Sequence, residues 1–312
     1  MKVIVAGASG AIGRPLVAAL LSAKHTVIGI TSSDRGLGVL RRSGADGVVL
    51  NALDAAAVER EVNRIRPDAI VDELTSLPKR YTPEEMRAAA PRDREVRLQG
   101  GGNLHRAALK SAVKRYVVQS TGFFYAPGQG LASETEPLAD NASPAIAASV
   151  ATYTEIERRL FSNPAVEGIA LRYGFFYGPG TYHDPSTGSI SEQVREGQYS
   201  VIDPGTAIYS FIHVEDAAAA TVAALEVHPG VYNVVDDDPV TMAVWLPAFA
   251  KFIGAPPPPH ISEPEAIQAH GPDAVYYALR LRGASNAKAK KEFGFAPRRL
   301  EWLPRARMSG AA

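Results

Sequence analysis

The opening stretch of the chain, residues 1–24, constrains the fold most strongly, because it sets a glycine-rich turn between two periodic segments. Residues 2–6 form an apolar, largely β-branched run that ends abruptly at Gly7. Apolar residues then recur at helical spacing over residues 16–21. A short apolar run, a glycine turn and a helical period predict a strand, a turn and a helix in that order.

The glycines of this turn have distinct physical uses. Gly7 allows a tight turn, Gly10 lets the backbone approach a pyrophosphate, and Gly13 lets the helix lie close to the strand. Free N–H groups at the positive end of the helix dipole then face the phosphates. A ligand-free turn is the alternative, but the place between strand and helix favours a dinucleotide site. We expect Gly7, Gly10, Ile12 and Gly13 to contact the pyrophosphate, and Ser9 and Ala11 to belong to the same cofactor site.

Several motifs together carry a family resemblance. The glycine spacing at 7, 10 and 13 is followed by Leu171-Arg172, by Tyr177–Gly180 and by the block 209–217. With these motifs the chain resembles the extended, epimerase/dehydratase-like branch of the short-chain dehydrogenase/reductase superfamily over residues 2–302. The resemblance implies an α/β fold, a Rossmann-type doubly wound parallel sheet with a smaller C-terminal substrate subdomain. We assign residues 1–173, with 205–228 returning, to dinucleotide binding, 174–304 mainly to the substrate and 305–312 to a tail.

Composition limits the partners. The 33 basic residues balance the 33 acidic ones, so no nucleic-acid partner is expected. No apolar run is long enough for a membrane span, and the seven histidines lack metal-ligand spacing, so we expect no membrane and no metal site. The chain has no cysteine, which fits a cytoplasmic location. The expected partner is a small-molecule substrate, and a homodimer is left open.

The end of the second strand, 26–31, bears on the cofactor. An acidic residue there would bind the ribose hydroxyls of NAD. The sequence instead has Ser32 and Ser33, then Asp34 and Arg35, and small hydroxyls with an arginine suit a 2′-phosphate. We interpret Asp34 as the cap of a helix at 35–42. NADP is therefore the predicted cofactor and NAD the second choice.

Other cofactor contacts follow from the resemblance and from strand ends. Asn51 and Ala52 occupy the adenine side, whereas Leu74 and Thr75 leave the fourth strand at the edge where such sheets bind ligands. Glu73, just before them, is either a solvated loop residue or a site carboxylate. The resemblance places Tyr173 and Phe176 beside the nicotinamide.

The catalytic residues of the resembled family are matched incompletely. Thr121 stands where the family has its Ser or Thr. The helix 145–161 carries Tyr153 but no lysine, and Glu157 stands four residues on, where a carboxylate would raise the tyrosine pKa. A second register puts Ser149 in the tyrosine position and Tyr153 in that of the lysine. Arg97 is a further departure, because the family often has asparagine there.

The substrate and the reaction remain open at this point. Nucleotide-sugar members have a phosphate-binding arginine where this chain has Tyr209, so we expect a small non-nucleotide carbonyl substrate near Phe123, Tyr182 and Tyr199. Without the lysine the tyrosine stays neutral, which favours reduction over oxidation. His183 is the alternative proton donor. The runner-up functions are a nucleotide-sugar epimerase or dehydratase and a non-catalytic NAD(P)-sensing regulator.

Two structural expectations complete the analysis. The polar, proline-containing stretch 78–94 predicts a loop with a short helix. The stretch 231–236 matches a strand of the family's smaller subdomain.

Overall fold

The computed structural model describes residues 1–304, so the predicted tail at 305–312 lies outside the described residues. The elements of the first half are β1 Lys2–Ala6, α1 Gly13–Ser22, β2 Thr26–Thr31, α2 Asp34–Arg42, β3 Asp46–Val49, α3 Ala55–Ile65, β4 Ala69–Asp72, α4 Pro83–Glu95, a π-helical turn Val96–Gly100, α5 Gly101–Lys110, β5 Arg115–Thr121, α6 Pro144–Leu160 and β6 Glu167–Tyr173. Those of the second half are β7 Phe175–Tyr177, α7 Ser189–Arg195, β8 Val201–Ile202, β9 Ile208–Tyr209, β10 Phe211–His213, α8 Val214–Ala223, β11 Gly230–Val234, β12 Val240–Thr241, α9 Met242–Phe252, β13 His260–Ile261, α10 Glu263–His270, α11 Pro272–Leu279 and α12 Ala287–Phe293.

The central sheet has seven parallel strands in the order β3-β2-β1-β4-β5-β6-β11. Val3 of β1 is paired with Val27 on one side and with Ala69 on the other, which is where the strand order reverses. In open α/β sheets such a switch point leaves a crevice at the carboxyl ends of the strands. The predicted Rossmann-type doubly wound fold is confirmed.

Both faces of this sheet are covered. Val3 and Val5 point to a core that includes α1 and α8, whereas Ile4 and Ala6 point to the opposite core, formed with α3, α5 and α6. All four side chains are fully buried. A continuous apolar run in β1, rather than an alternating one, is what a parallel strand buried on both faces requires.

Two expectations about individual elements were wrong. The strand in the stretch 231–236 belongs to the central sheet, where β11 pairs with β6 as an edge strand. The helix within 78–94 is not short, because α4 covers 83–95. Thr82 caps it by accepting the Glu85 N–H, and Pro83 stands in its first turn, where a missing N–H costs nothing.

A second apolar core lies at the carboxyl edge of the sheet. It is built around Trp245, which is fully buried, and around the short paired strands β12-β9 and β13-β8 with α9, α10 and α11. These elements close one side of the crevice. No helix within residues 1–304 is both long and apolar enough to cross a membrane.

Candidate active site

The glycine turn lies at the end of β1, beside the end of β4. Gly7 has φ of +79°, and a Cβ there would lie 2.5 Å from the backbone oxygen of Glu73. A Cβ on Gly13 would lie 2.2 Å from the Gly7 oxygen. Gly10 is exposed and, with Ala11, borders a cavity of about 620 Å³. The turn is therefore free of side chains where helix N–H groups would face a pyrophosphate, and a dinucleotide fits it.

The Ser9 hydroxyl connects this turn to the next strand. It lies 3.0 Å from Thr31 Oγ1 at the end of β2. A Cβ on Gly36 would lie 2.0 Å from that Thr31 oxygen and 2.9 Å from Ser9 Oγ. The start of α2 is therefore held tightly against the glycine turn. Ile12 is buried at the start of α1.

The candidate 2′-phosphate residues lie at the start of α2. Ser33 is the N-cap, and its Oγ accepts the Gly36 N–H at 3.2 Å. The expectation that Asp34 caps this helix was wrong, because Asp34 is already the first helical residue. Ser32 and Arg35 are exposed. A hydroxyl and a guanidinium thus stand at the positive end of the α2 dipole, where an anion is favoured.

The candidate adenine residues make local hydrogen bonds. Asn51 Oδ1 accepts the Leu53 N–H at 3.1 Å, and the amide nitrogen of Asn51, which has no hydrogen-bond partner within residues 1–304, can donate to a base. The Ala52 carbonyl accepts from Asn103 Nδ2 at 2.8 Å. This buried bond ties the loop after β3 to α5.

The run of three glycines at 100–102, where the π-helical turn meets α5, has a packing reason. A Cβ on Gly100 would lie 3.2 Å from Ala52 Cβ and 3.4 Å from Leu74 Cδ1, and a Cβ on Gly101 would lie 2.6 Å from Asp72 Oδ2. Residues that weaken a helix by themselves therefore let this helix approach the strand ends. Thr75, next to Leu74, borders the cavity.

Glu73 is buried at the switch point. Burial, with a contribution from the neighbouring Asp72 carboxylate, raises the pKa of Glu73 to about 8. The Tyr173 hydroxyl lies 3.2 Å from its Oε1 and 2.6 Å from Thr221 Oγ1. The other carboxyl oxygen, Glu73 Oε2, has no hydrogen-bond partner among the described residues. Glu73 is thus not a solvated loop residue, since it lies beneath the glycine turn and is protonated at neutral pH.

The candidate nicotinamide residues form part of the cavity wall. Tyr173 ends β6, Phe176 lies in β7, and their ring centroids are 5.2 Å apart. Both rings border the cavity that also reaches Gly10. The cavity therefore joins the glycine turn to the two aromatic rings.

Tyr153 on α6 also borders the cavity, and so does Ser149 one turn earlier. Burial raises the pKa of Tyr153, and the nearby Arg97 guanidinium opposes this effect. The Arg97 guanidinium carbon lies 5.2 Å from the Tyr153 ring centroid. The direction of the pKa shift expected from the sequence is therefore present, but its main cause is burial.

Glu157 is held in an ion pair with Arg172 and, contrary to what its spacing had suggested, does not raise the pKa of Tyr153. Its carboxylate accepts from Arg172 Nε at 2.8 Å and from Arg172 Nη2 at 2.7 Å, and from Ser120 Oγ at 2.6 Å. All three side chains are buried. The charge of Glu157 is thus compensated by Arg172 in the protein interior.

Thr121 lies at the very end of β5. Its side chain is buried, and Thr121 Oγ1 has no hydrogen-bond partner within residues 1–304. The neighbouring Gln119 and Ser120 border the cavity. Strand alternation places Gln119 and Thr121 on one face and Ser120 on the other. Thr121 itself does not border the cavity, so the catalytic role of its unpartnered hydroxyl stays a prediction.

His183 borders the cavity but is poorly suited to give a proton. Burial lowers its pKa to about 4, so the ring is neutral at pH 7. Its Nδ1 lies 3.2 Å from the Phe176 carbonyl, which only accepts, so Nδ1 carries the proton and Nε2 is bare. The ring packs edge-on against Trp245 and Phe211. These contacts favour Tyr153 over His183 as the proton donor.

Aromatic side chains dominate the far end of the cavity. Phe123 and Phe175 are stacked at 4.2 Å, and Tyr81 lies 5.2 Å from Tyr182. The further aromatic lining residues are Phe124, Tyr199, Tyr209 and Tyr277. Flat rings on several sides of a cavity favour a flat, apolar ligand.

A second cavity of about 300 Å³ shares part of this wall. Arg94 borders both cavities, Arg87 borders the second and Lys79 the first. Arg87 and Arg94 are exposed one above the other along α4. Cationic groups thus lie next to the aromatic wall, at the mouth of the site.

Comparisons with known proteins agree with this geometry. Residues 3–234 match the family model described as the NAD dependent epimerase/dehydratase family. A curated relative, the 3-diazoavenalumate denitrifying reductase of a Streptomyces species, is 36% identical over 306 residues, which are 97% of this chain and 98% of the relative.

Solved structures match the fold along nearly the whole chain. A dTDP-glucose 4,6-dehydratase of Streptomyces venezuelae with NAD and TYD bound has a TM-score of 0.75 at 20% identity, covering 96% of this chain and 93% of that one. The UDP-glucose 4-epimerase of Thermus thermophilus in complex with NAD has a TM-score of 0.72 at 24% identity, covering 97% and 96%.

Sequence reasoning missed three features of this site. It noted Arg97 only as a departure from the family, missed its contact with Tyr153, and did not pair Glu157 with Arg172. It also missed the aromatic contribution of Tyr81 and Tyr277. The number of tyrosines in the sequence would have been the only signal for Tyr81 and Tyr277. Tyr81 lies just before α4 and Tyr277 in α11, so the two are far apart in the chain.

Proposed function

Because the chain belongs to the NAD-dependent epimerase/dehydratase family, we propose that it is an NADPH-dependent reductase of a small aromatic acid. A reductase function fits its curated relative, and neither a nucleotide-sugar epimerase nor a non-catalytic sensor is favoured. The observation that carries the proposal is the continuous cavity, which runs from the glycine turn at Gly10 to the stacked rings of Phe123 and Phe175.

The bound dinucleotide would supply a hydride. Gly7, Gly10 and Gly13 would hold its pyrophosphate, and Ser32 and Arg35 a 2′-phosphate, which is why we propose NADP over NAD. Asn51, Ala52, Leu74 and Thr75 would bound the adenosine side, and Tyr173 and Phe176 the nicotinamide side. Thr121 and Tyr153 would act on the substrate.

The aromatic wall and the basic mouth suggest the substrate class. A planar ring would lie among Phe123, Tyr182 and Tyr277, and a carboxylate on it would reach Arg94 or Lys79. Tyr209 occupies the position where we expected an arginine in a nucleotide-sugar enzyme, and it is buried in the aromatic core. The side chain at position 209 therefore offers no positive charge to bind the diphosphate of a nucleotide sugar.

The electrophile on this substrate is a diazo group or a carbonyl. The name of the 36% identical relative specifies a diazo acid, and the resemblance to short-chain reductases specifies a carbonyl. In the overall diazo reaction, the neutral diazo-ketone form of a diazophenol, NADPH and one proton give the phenol, N₂ and NADP⁺. In either reaction an oxygen gains negative charge and takes one proton, and neutral Tyr153 is a suitable donor.

Turnover measurements test this proposal. The purified chain and NADPH are mixed with a panel of diazonium derivatives of hydroxylated aromatic acids, matched aromatic aldehydes and ketones, and UDP- and dTDP-sugars. NADPH oxidation at 340 nm and product mass are followed. We expect turnover of an aromatic acid and its loss in Tyr153→Phe, with Tyr232→Phe as a matched control, because Tyr232 is buried in a different core. Turnover or epimerisation of the sugars alone would reject the proposal.

Two further predictions accompany this function. The cytoplasmic location and the homodimer stay predictions, to be checked by fractionation of the native host and by sedimentation of the pure protein. If NADP(H) altered assembly while no member of the panel turned over, a sensing role would replace the enzyme.

A further inference from the structure

Arg97 lies in the cavity wall with its charge next to Tyr153. Its guanidinium carbon is 5.2 Å from the Tyr153 ring centroid, and its side chain is 5% exposed. The stretch of α6 that carries Tyr153 has no lysine. We propose that Arg97 supplies the positive charge that stabilises Tyr153 when this tyrosine gives up its proton. This proposal rests on the reductase function proposed above.

One edge of the guanidinium is anchored and the other is not. Arg97 Nε donates to Asp93 Oδ2 at 2.7 Å, and Asp93 Oδ1 accepts the Ser76 N–H at 2.6 Å. The two Nη groups have no hydrogen-bond partner within residues 1–304, although Arg97 borders the cavity. The anchored edge fixes the charge in place, and the remaining donors are free to face the site.

The backbone around Arg97 explains how it reaches this position. Helix α4 buries none of its side chains, but the chain then forms the π-helical turn at 96–100, and Arg97 in that turn is buried. A π-helical turn shifts the helical register, and such turns are frequent at functional sites. The register change therefore turns a side chain from the exposed helix face into the cavity.

The chemistry explains why a cation is needed there. When the reduced substrate oxygen takes a proton, the O–H bond of Tyr153 breaks, a substrate O–H bond forms, and Tyr153 is left with a negative charge. Burial opposes that charge, and Arg97 favours it. If the 5.2 Å between the Arg97 guanidinium carbon and the Tyr153 ring centroid stands for the charge separation, two unit charges at an effective dielectric constant near 20 change a rate roughly 250-fold. Asp93 cancels part of this effect, so we expect a loss of about 10- to 100-fold without Arg97.

A double-mutant cycle tests whether Arg97 acts through Tyr153. We expect Arg97→Gln to lower kcat about 10- to 100-fold with little change in the KM for NADPH, and Arg97→Lys to restore much of the loss. In a Tyr153→Phe background the further change Arg97→Gln should cost nothing more. The control is Arg92→Gln on the preceding helix α4, because the Arg92 side chain pairs with Glu95 and is about half exposed.

The proposal would be overturned if the double variant lost kcat by the product of the two single losses. It would also be overturned if Arg97→Lys restored none of the kcat lost in Arg97→Gln. A second readout does not require turnover and so separates this proposal from the reductase function. In protein labelled with ¹³Cζ-tyrosine, the signal lost in Tyr153→Phe identifies Tyr153, and its pKa is followed by NMR. We expect the pKa to be higher in Arg97→Gln than in the wild type. The same titration in both proteins, including no titration in either, would also overturn it.

Discussion

Glu157 and Arg172 form a two-point ion pair in the protein interior, with Nε–Oε1 and Nη2–Oε2 distances of 2.8 and 2.7 Å. The pair joins α6 to β6, and Ser120 adds a bond from β5. It therefore fixes how the helix that carries Tyr153 lies across the sheet. Glu157, four residues after Tyr153, is therefore a structural group. The cation next to Tyr153 is Arg97, which comes from the π-helical turn 96–100.

Removing this carboxylate should destabilise the fold rather than the chemistry. Glu157→Gln leaves the Arg172 charge buried without a counter-charge, which costs about 3–5 kcal/mol of unfolding free energy. Urea denaturation at pH 7 measures this loss. Glu155→Gln is the control, because Glu155 forms an exposed pair with Arg158 on the same helix and its loss should change the unfolding free energy little. Equal effects of the two substitutions would contradict the assignment.

The close approach of α1 to the glycine turn gives a second prediction. A Cβ on Gly13 would lie 2.2 Å from the Gly7 oxygen, so Gly13→Ala should cost about 1–3 kcal/mol of unfolding free energy and weaken NADPH binding. Denaturation and calorimetry measure the two effects. Gly38→Ala is the matched control within α2, since its Cβ meets only an ordinary contact at 3.5 Å, and it should stabilise by about 0.5–1 kcal/mol. Normal NADPH binding by Gly13→Ala would refute the proposed pyrophosphate site.

The cofactor preference depends on the start of α2. Arg35→Ala should weaken NADPH binding about 10-fold or more, with little change for NADH, because only NADPH carries the 2′-phosphate. Calorimetric titration of both cofactors measures this difference. Arg41→Ala, in the last turn of the same helix, is the control. Tighter binding of NADH by the wild type, or equal losses for both cofactors, would favour NAD.

Glu73 predicts a pH dependence of stability. Burial first, and then the Asp72 charge, raises its pKa from 4.5 to about 8 in the folded protein. Its stabilising contribution is therefore complete below about pH 4.5 and is lost as the pH rises through 8. Over that range the wild type should lose about 1.4 kcal/mol per pH unit relative to Glu73→Gln. Urea denaturation from pH 5 to 8 measures this, and parallel curves for the two proteins would contradict it.

The sequence by itself determined the sheet and the cofactor turn. β1 covers the predicted residues 2–6, and α1 includes the helical spacing at 16–21, because the apolar run, the glycines and the helical spacing are local signals that neighbouring residues supply. A local signal also sets the start of α3, where Asp54 is the N-cap and its Oδ1 accepts the Ala57 N–H. The same local rules failed at Asp34, because Ser33, one residue earlier, takes the cap.

Only the tertiary structure decided the neighbours of the candidate catalytic groups. Glu157 is paired by a residue 15 positions away, and Arg97 reaches Tyr153 from a helix more than fifty residues earlier in the chain. The strand Gly230–Val234 joins the central sheet because a parallel edge partner, rather than its sequence neighbours, completes its hydrogen bonds. Burial, charge pairing and strand order depend on which segments meet in space, and no periodicity within a segment encodes that.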